Sequence, residues 1–143
     1  MHMRILSNND QGPLRDALTQ AGLPVDDLTY PGRQFFSFSH QDVVVAFGGI
    51  EGEGAYRLLR SLVVLEGLRG KGTGASVLAA IEAFAKREGV EQLHLLTDSA
   101  AAFFTGQGYQ AQSRALAPAS ISATAQFKTL CPASATYLSK RLV

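Results

Sequence analysis

The densest chemical signal in the chain is Leu68-Arg69-Gly70-Lys71-Gly72-Thr73-Gly74. Three glycines alternate with other residues, and the cations Arg69 and Lys71 sit among them. Glycines at this spacing let a backbone pass close to a ligand and turn its N–H groups inward. A helix starting directly afterwards adds further N–H groups and the positive end of its dipole. Together these are what a pyrophosphate needs. The loop is not a P-loop, because no G-x-x-x-x-G-K-[ST] run occurs in the chain. Nor is it the dinucleotide fingerprint: Gly70, Gly72 and Gly74 give G-x-G-x-G, not G-x-G-x-x-G. On spacing alone it reads either as a pyrophosphate cradle or as a flexible turn carrying solvated charges.

A cradle of this kind must lie between a strand and a helix, and the flanking residues predict both. Before it, Tyr56 to Leu65 is the longest strand candidate. Strict alternation would place Tyr56, Leu58, Arg60, Leu62 and Val64 on one face and Arg57, Leu59, Ser61, Val63 and Leu65 on the other. After it, Val77, Leu78, Ile81, Phe84 and Ala85 recur at helical spacing. Lys86-Arg87 suit the last turn of that helix, and Gly89 ends it.

The rest of the chain reads in the same way. Ile5-Leu6 forms a short first strand. A helix opens at Pro13, carries Leu14, Ala17, Leu18 and Ala21, and closes at Gly22. Pro24 to Leu28 is expected to make a second helical turn. Phe36 and Phe38 alternate with Ser37 and Ser39 as in a half-buried strand. Val43 to Phe47 reads as a buried strand, with Gly48-Gly49 allowing a bulge. Leu93 to Thr97 is a strand, and Ser99 to Thr105 a short helix stopped by Gly106 and Gly108. Tyr109 to Arg114 is a strand, Pro118 to about Leu130 a helix, and Ala135 to Leu142 a last strand. This order implies an α+β or α/β sandwich on a mixed sheet.

Composition limits the partners. A length of 143 residues, 46% hydrophobic and 17% charged, suits one compact domain, residues 1–143. Thirteen Lys+Arg against twelve Asp+Glu give no nucleic-acid footprint. The longest apolar run is too short for a membrane span. Met1-His2-Met3-Arg4 lacks the apolar core of a signal peptide, so a cytoplasmic address is expected. One cysteine, Cys131, excludes an internal disulfide framework and a cysteine-built zinc site. His2, His40 and His94 are scattered, so no metal is expected; His94, flanked by leucines, reads as structural.

Arg69-Gly70-Lys71-Gly72-Thr73-Gly74 resembles the R-x-x-G-x-G acetyl-CoA signature of the GCN5-related N-acetyltransferases. Ala101-Ala102-Phe103-Phe104-Thr105-Gly106-Gln107-Gly108-Tyr109 is similar to the family's A-x-x-[FL]-[YF]-x-x-x-G-[FY] helix and turn. The strand, loop, helix and strand between these motifs follow the family's order, and the resemblance runs from about residue 4 to the end. It implies the GNAT fold, an α/β/α sandwich whose mixed sheet is mostly antiparallel. It also implies acetyl-CoA as cosubstrate and an N-acetyltransferase activity. Leu96-Thr97 with Ala101-Ala102-Phe103-Phe104 is similar to amino-acid N-acetyltransferases of the acetylglutamate synthase type. The tail, with Arg114, Ala117-Pro118, Ile121, Thr124, Gln126-Phe127 and Leu130-Cys131-Pro132, looks like the short enzymes of arsenic-resistance operons. That resemblance implies acetylation of a glutamate-mimic toxin such as arsinothricin or phosphinothricin. Alternatives are a peptide, lysine or polyamine acceptor, or a non-catalytic CoA-binding sensor. Related folds often dimerise, so a homodimer is an expectation.

The resemblance also assigns residues. Gly70, Lys71, Gly72, Thr73 and Gly74, with Arg69, take the pyrophosphate. Val63, Val64 and Leu65 expose backbone to pantetheine, and the N–H of Val64 is the candidate oxyanion donor. Phe104 stands where many relatives carry a tyrosine acid, so it packs against CoA and the thiolate leaves unassisted, with a water, or with another residue. Glu51, Glu53 and Glu66 are the carboxylates that could serve as base through water, with Glu51 preferred. An amino-acid carboxylate suits a bidentate guanidinium. Arg60 and Arg33 rank above Arg57 and Arg114 for that role, with Thr124 and Gln126 as further hydrogen-bonding groups. A lone Cys131 argues against direct capture of arsenic and reads as a packing residue.

Overall fold

The structure, a computed structural model, describes residues 1–68, 70–130 and 134–143, with Thr129 and Leu130 described by backbone alone. Seven strands form one sheet: β1 (His2–Leu6), β2 (Arg33–His40), β3 (Val43–Glu51), β4 (Tyr56–Val64), β5 (Gln92–Thr97), β6 (Gln110–Gln112) and β7 (Thr136–Arg141). Four helices connect them: α1 (Gly12–Gln20), α2 (Thr73–Arg87), α3 (Ala101–Gly106) and α4 (Ala119–Ser122). The spatial order is β1-β2-β3-β4-β5-β7-β6. All neighbours are antiparallel except β4 and β5. This is the mixed, mostly antiparallel sandwich that the sequence led us to expect.

Each face of the sheet carries one helix layer. On one side Leu14, Ala17 and Leu18 of α1 pack with Phe35, Phe47 and Val63. On the other, Val77, Leu78, Ile81 and Ala85 of α2 pack with Phe36, Ala46, Ile50 and Leu59, joined by Phe104. Both helices end on a glycine as predicted, at Gly22 (φ +71°) and Gly89 (φ +86°).

Covering both faces overturns two expectations. In β2, Ser37 is buried along with Phe35, Phe36 and Phe38, so this strand is not half-exposed. In β3 the buried stretch starts later than expected: Val43 and Val44, at the hairpin end, are 62% and 37% exposed, while Ala46 to Glu51 are buried. Gly48 and Gly49 do sit at an irregularity of the β3–β4 ladder.

The irregularity lies on β4. Phe47 pairs with Val63 and Gly49 with Arg60, so Gly48 alone faces both Ser61 and Leu62. Ser61 has φ +60°. The extra residue reverses the alternation beyond it. Leu59, Leu62 and Val64 face α2, while Val63 and Leu65 face α1. Arg60 therefore does not share its face with Leu62 and Val64, as strict alternation predicted.

Past Leu58, ahead of the bulge, β4 and β5 part. They pair only through Tyr56–Leu58 and Gln92–His94, whereas β5 stays paired with β7 as far as Thr97.

Local chemistry shortened three predicted elements. Pro24 to Leu28 forms turns, not helix. The strand expected over 109–114 is limited to β6, and Ser113 Oγ then accepts from Ala115 N–H to open a 3₁₀ turn over Arg114–Leu116. The helix expected over 118–130 breaks into α4 and a π turn over Gln126–Leu130. At the break, Thr124 Oγ1 donates to Ile121 O (2.7 Å) and accepts from Phe127 N–H (3.4 Å), competing with the backbone ladder. No helix among the described residues is long and apolar enough to cross a membrane.

Candidate active site

The parting of β4 and β5 opens a cleft of about 870 Å³. Leu59 to Val64 form one wall and Leu95 to Thr97 the other. Gly70, Gly72, Gly74 and Ala75 lie at one end. Phe103 and Phe104 of α3 and Gln107 just after it close the cleft, with Gln20, Ala21 and Leu23 from the end of α1.

Two of the three glycines in the loop use glycine's conformational range. Gly70 (φ +79°) and Gly72 (φ +77°) are left-handed, and Gly72 is the N-cap of α2. A Cβ on either would meet nothing within 4 Å, so it is backbone conformation, not crowding, that calls for glycine there. Gly74 differs, since its Cβ would stand 3.4 Å from the Phe103 ring. The fold thus places the glycine loop and the start of a 15-residue helix at one end of the cleft. Lys71 is exposed and Thr73 half-buried, and neither lines the cleft. Arg69 and Cys131 lie outside the described residues.

Val63 and Val64 line the cleft, whereas Leu65 packs into the α1 cluster. Leu65 N–H donates to Val45 O at 2.9 Å. That bond makes Ala46–Val64 a non-hydrogen-bonded pair of the ladder. The backbone groups of Val64 are accordingly turned away from β3, toward the side where β5 has diverged.

Phe104 is buried and T-shaped against both Phe103 and Tyr109. A polar clamp holds this wall. Tyr109 Oη donates to Glu82 Oε2 (2.8 Å), and Lys140 Nζ donates to Glu82 (3.1 Å) and to Gln107 O (2.9 Å). Burial and the neighbouring Glu82 charge push the Tyr109 phenol far up, so it stays protonated as a donor.

Three residues expected to act separately are joined in one buried ion network, together with Asp27. Arg60 Nη1 and Nη2 donate to Asp27 Oδ2 (2.6 Å) and Oδ1 (2.7 Å). Nη1 also donates to Glu51 Oε1 (2.8 Å), and Nε to Ser61 Oγ (3.2 Å). Arg33 closes the ring, with Nη2 3.0 Å from Asp27 and 3.4 Å from Glu51. Burial opposes these charges, but the pairing outweighs it. The Arg60 pKa is raised by Asp27 and Glu51, and the Asp27 pKa is lowered by Arg60 and Arg33.

This network corrects two expectations. The side chain of Arg60 is fully buried and committed to internal carboxylates, so it does not present an open fork to a substrate. Glu51 does not line the cleft, and both its oxygens face guanidinium groups, which does not suit a base. Arg33 is bound in the same way and also donates to Pro31 O at 2.7 Å. Glu53 and Glu66 are exposed turn residues.

The other candidates lie away from the cleft. Arg57 Nε donates to Gly54 O (3.2 Å) and steadies the β3–β4 turn. Arg114 lies over the Phe127 ring and donates to Ala135 O, tying down the tail. Thr124 is used at the helix break, and Gln126 is buried beneath it. His94 is buried against Tyr137, its Nδ1 2.7 Å from the phenol oxygen, and burial lowers its pKa to about 4. No group of three or more His, Cys, Asp or Glu among the described residues is placed to hold a metal ion.

Sequence reasoning missed Asp27 and Ser61. Asp26-Asp27 looks like ordinary turn charge, and nothing local marks Ser61 as the bulge.

A family model described as "Acetyltransferase (GNAT) domain" matches residues 31–111. N-alpha-acetyltransferase 80 of Mus musculus is 40% identical over 53 residues, which are 37% of this chain and 17% of that protein. Among solved structures, Tetrahymena GCN5 superposes with a TM-score of 0.81 at 13% identity, covering 100% of this chain and 97% of that one. N-acetylglutamate synthase from Neisseria gonorrhoeae, complexed with coenzyme A and L-arginine, gives 0.77 at 17% identity, covering 98% of this chain and 32% of that one. The chain therefore spans less than two thirds of the mouse and gonococcal proteins.

Proposed function

Because the chain belongs to the GNAT acetyltransferase family, we propose that it is an acetyl-CoA-dependent N-acetyltransferase acting on the amine of a small amino-acid-like acceptor. The observation that carries this is the cleft between β4 and β5 with the glycine cradle at its end. The residues present fit acetyl-CoA. Left-handed Gly70 and Gly72 and the first turn of α2 supply N–H groups for a pyrophosphate. The apolar walls of Leu62, Val63, Leu95 and Phe103 suit pantetheine.

The cosubstrate supplies an activated acyl carbon. The acceptor nitrogen bonds to that carbon, negative charge gathers on the carbonyl oxygen, and the C–S bond breaks with its electron pair going to sulfur. The N–H of Val64, on the side of β4 that faces the cleft, is the proposed donor to the oxyanion. Among its described lining residues the cleft carries no Asp, Glu, His, Lys, Tyr or Cys. The amine proton is therefore lost to water. The thiolate departs without a tyrosine, which a thiol pKa of about 8.5 permits.

The acceptor amines we put first are glutamate mimics such as phosphinothricin and arsinothricin, on the strength of the tail residues and of an acetylglutamate synthase fold. One observation favours a second reading, an acceptor amine carried by a peptide. Arg60 is the single cationic residue among the described cleft-lining residues, and its charge is already neutralised by Asp27 and Glu51. The absence of a carboxylate from those residues disfavours a polyamine.

Calorimetric titration with acetyl-CoA, followed by thiol release across these acceptors, tests the proposal. Turnover of glutamate mimics supports the first reading, and turnover of peptides alone the second. Binding without any thiol release would leave a sensor, and no binding would overturn all three.

A further inference from the structure

Ser61 lies in the left-handed region inside a strand, with φ +60°. Nine other positive-φ positions in the described chain are glycines, and the two remaining exceptions, Gln41 and Asp42, form the β2–β3 turn. An L-residue held there costs about 1–2 kcal/mol relative to glycine. Glycine would satisfy this backbone, so the chain retains a side chain where the fold alone does not need one. Strain of this kind, when the surroundings enforce it, is a mark of functional positions.

The side chain kept is a hydroxyl held in place. Ser61 Oγ accepts from Arg60 Nε at 3.2 Å. The Arg60 guanidinium is in turn fixed by Asp27 and Glu51. With a lone pair turned to a cation, the oxygen is polarised and its own O–H is directed elsewhere as a strengthened donor. Ser61 lines the cleft on β4, three residues before Val64. The competing hydroxyls do not match it: Thr97 Oγ1 accepts from Ala100 N–H, Ser99 is exposed, and Phe104 has none.

We propose that Ser61 is a catalytic hydroxyl whose O–H donates a hydrogen bond to the negative charge that develops on the thioester during acyl transfer. The inference rests on the acetyltransferase reading. Ser61 keeps its proton throughout; the bond made is nitrogen to carbon, the bond broken is carbon to sulfur, and the amine proton goes to water. It also gives the charges of Arg60, Asp27, Glu51 and Arg33 a task. They fix the orientation of one donor beside the reacting carbon, which spares reorganisation when charge appears.

The test is Ser61→Gly, which removes the hydroxyl and relieves the backbone, with Ser61→Ala as a second variant lacking the hydroxyl. We expect kcat and kcat/KM for both to fall together by about 100-fold, the scale of losing one donor to developing charge. Both KM values and the calorimetric Kd for acetyl-CoA should stay within about twofold, and the Tm of Ser61→Gly should not drop. A kcat within threefold of the parent protein, or a loss matched by equally weakened acetyl-CoA binding, overturns the proposal. If the parent protein itself binds no acetyl-CoA, the acetyltransferase reading falls and this inference with it.

Discussion

Arg60 and Asp27 form a two-pronged ion pair, at 2.6 and 2.7 Å, across 33 residues of sequence. It ties the loop after α1 to the bulged strand that forms the cleft. Both side chains are buried, and removing Asp27 leaves two guanidinium groups, those of Arg60 and Arg33, sharing the single carboxylate of Glu51. We expect Asp27→Ala to cost about 3–5 kcal/mol in urea denaturation. Replacing the pair by Asp27→Leu with Arg60→Met should recover part of that, because the pair's own desolvation cost is removed while Glu51 and Arg33 are left one to one. The double variant should nevertheless remain slow, since Ser61 then loses its anchor.

Acid should destabilise the protein in two stages. The folded-state pKa of His94, lowered by burial to about 4, lies below its ordinary 6.5. The unfolded chain therefore takes up this proton first, and stability is lost as pH falls from above 6.5 toward 4. The shift corresponds to about 3 kcal/mol. Asp27 acts next. Burial alone would raise its pKa, but Arg60 and Arg33 hold it below the ordinary 3.8, so its contribution is present above that value and lost beneath it. His94→Asn should flatten the first stage between pH 7 and 4.5 and leave the second. Denaturant midpoints taken across that range would show this, and an unchanged slope would contradict it.

Adjacent glycines on β3 should respond differently to alanine. A Cβ at Gly49 would lie 2.5 Å from a Phe35 ring atom and 3.0 Å from the backbone oxygen of Gln34. Phe35 is fully packed and the carbonyl belongs to the sheet, so neither yields. We expect Gly49→Ala to cost about 1–3 kcal/mol. At Gly48 the close atom is the terminal Cδ1 of Ile81, at 2.5 Å, the far end of an aliphatic side chain with no ring or backbone atom near it. Gly48→Ala should cost less, and the two chemical-denaturation midpoints should fall in that order.

What was legible in the sequence was what depends on neighbours in the chain. The glycine loop, the apolar stripe of α2 and the glycine stops of both long helices announce themselves within a few residues. Asp27, Arg33, Glu51 and Ser61 were illegible as a unit because three connections separate them before the sheet brings them together. Arg60 was legible as an arginine on an apolar strand but not as one already paired. Strict alternation also failed at Ser61, since a bulge needs no special residue type when its partners supply the restraint. The Pro118 to Leu130 segment misled for another reason: its residues favour helix, and one threonine side chain competes with the ladder.

The cradle itself makes the last prediction. Gly72 caps α2 at φ +77°, with open space where a Cβ would stand. Gly72→Ala therefore meets no steric block and carries only the left-handed penalty of about 1–2 kcal/mol. The cheapest relief is for the loop to leave that conformation, which turns its N–H groups away from the cleft. Stability should then drop by less than that penalty, while the Kd for acetyl-CoA rises by about tenfold, the equivalent of roughly 1.4 kcal/mol. Gly89→Ala, at the end of α2 with a similar φ of +86°, open space for a Cβ and no place in the cleft lining, is the control. It should lower the Tm comparably and leave acetyl-CoA binding alone. Equal losses of affinity in the two variants would show that the loop geometry has no special part in binding.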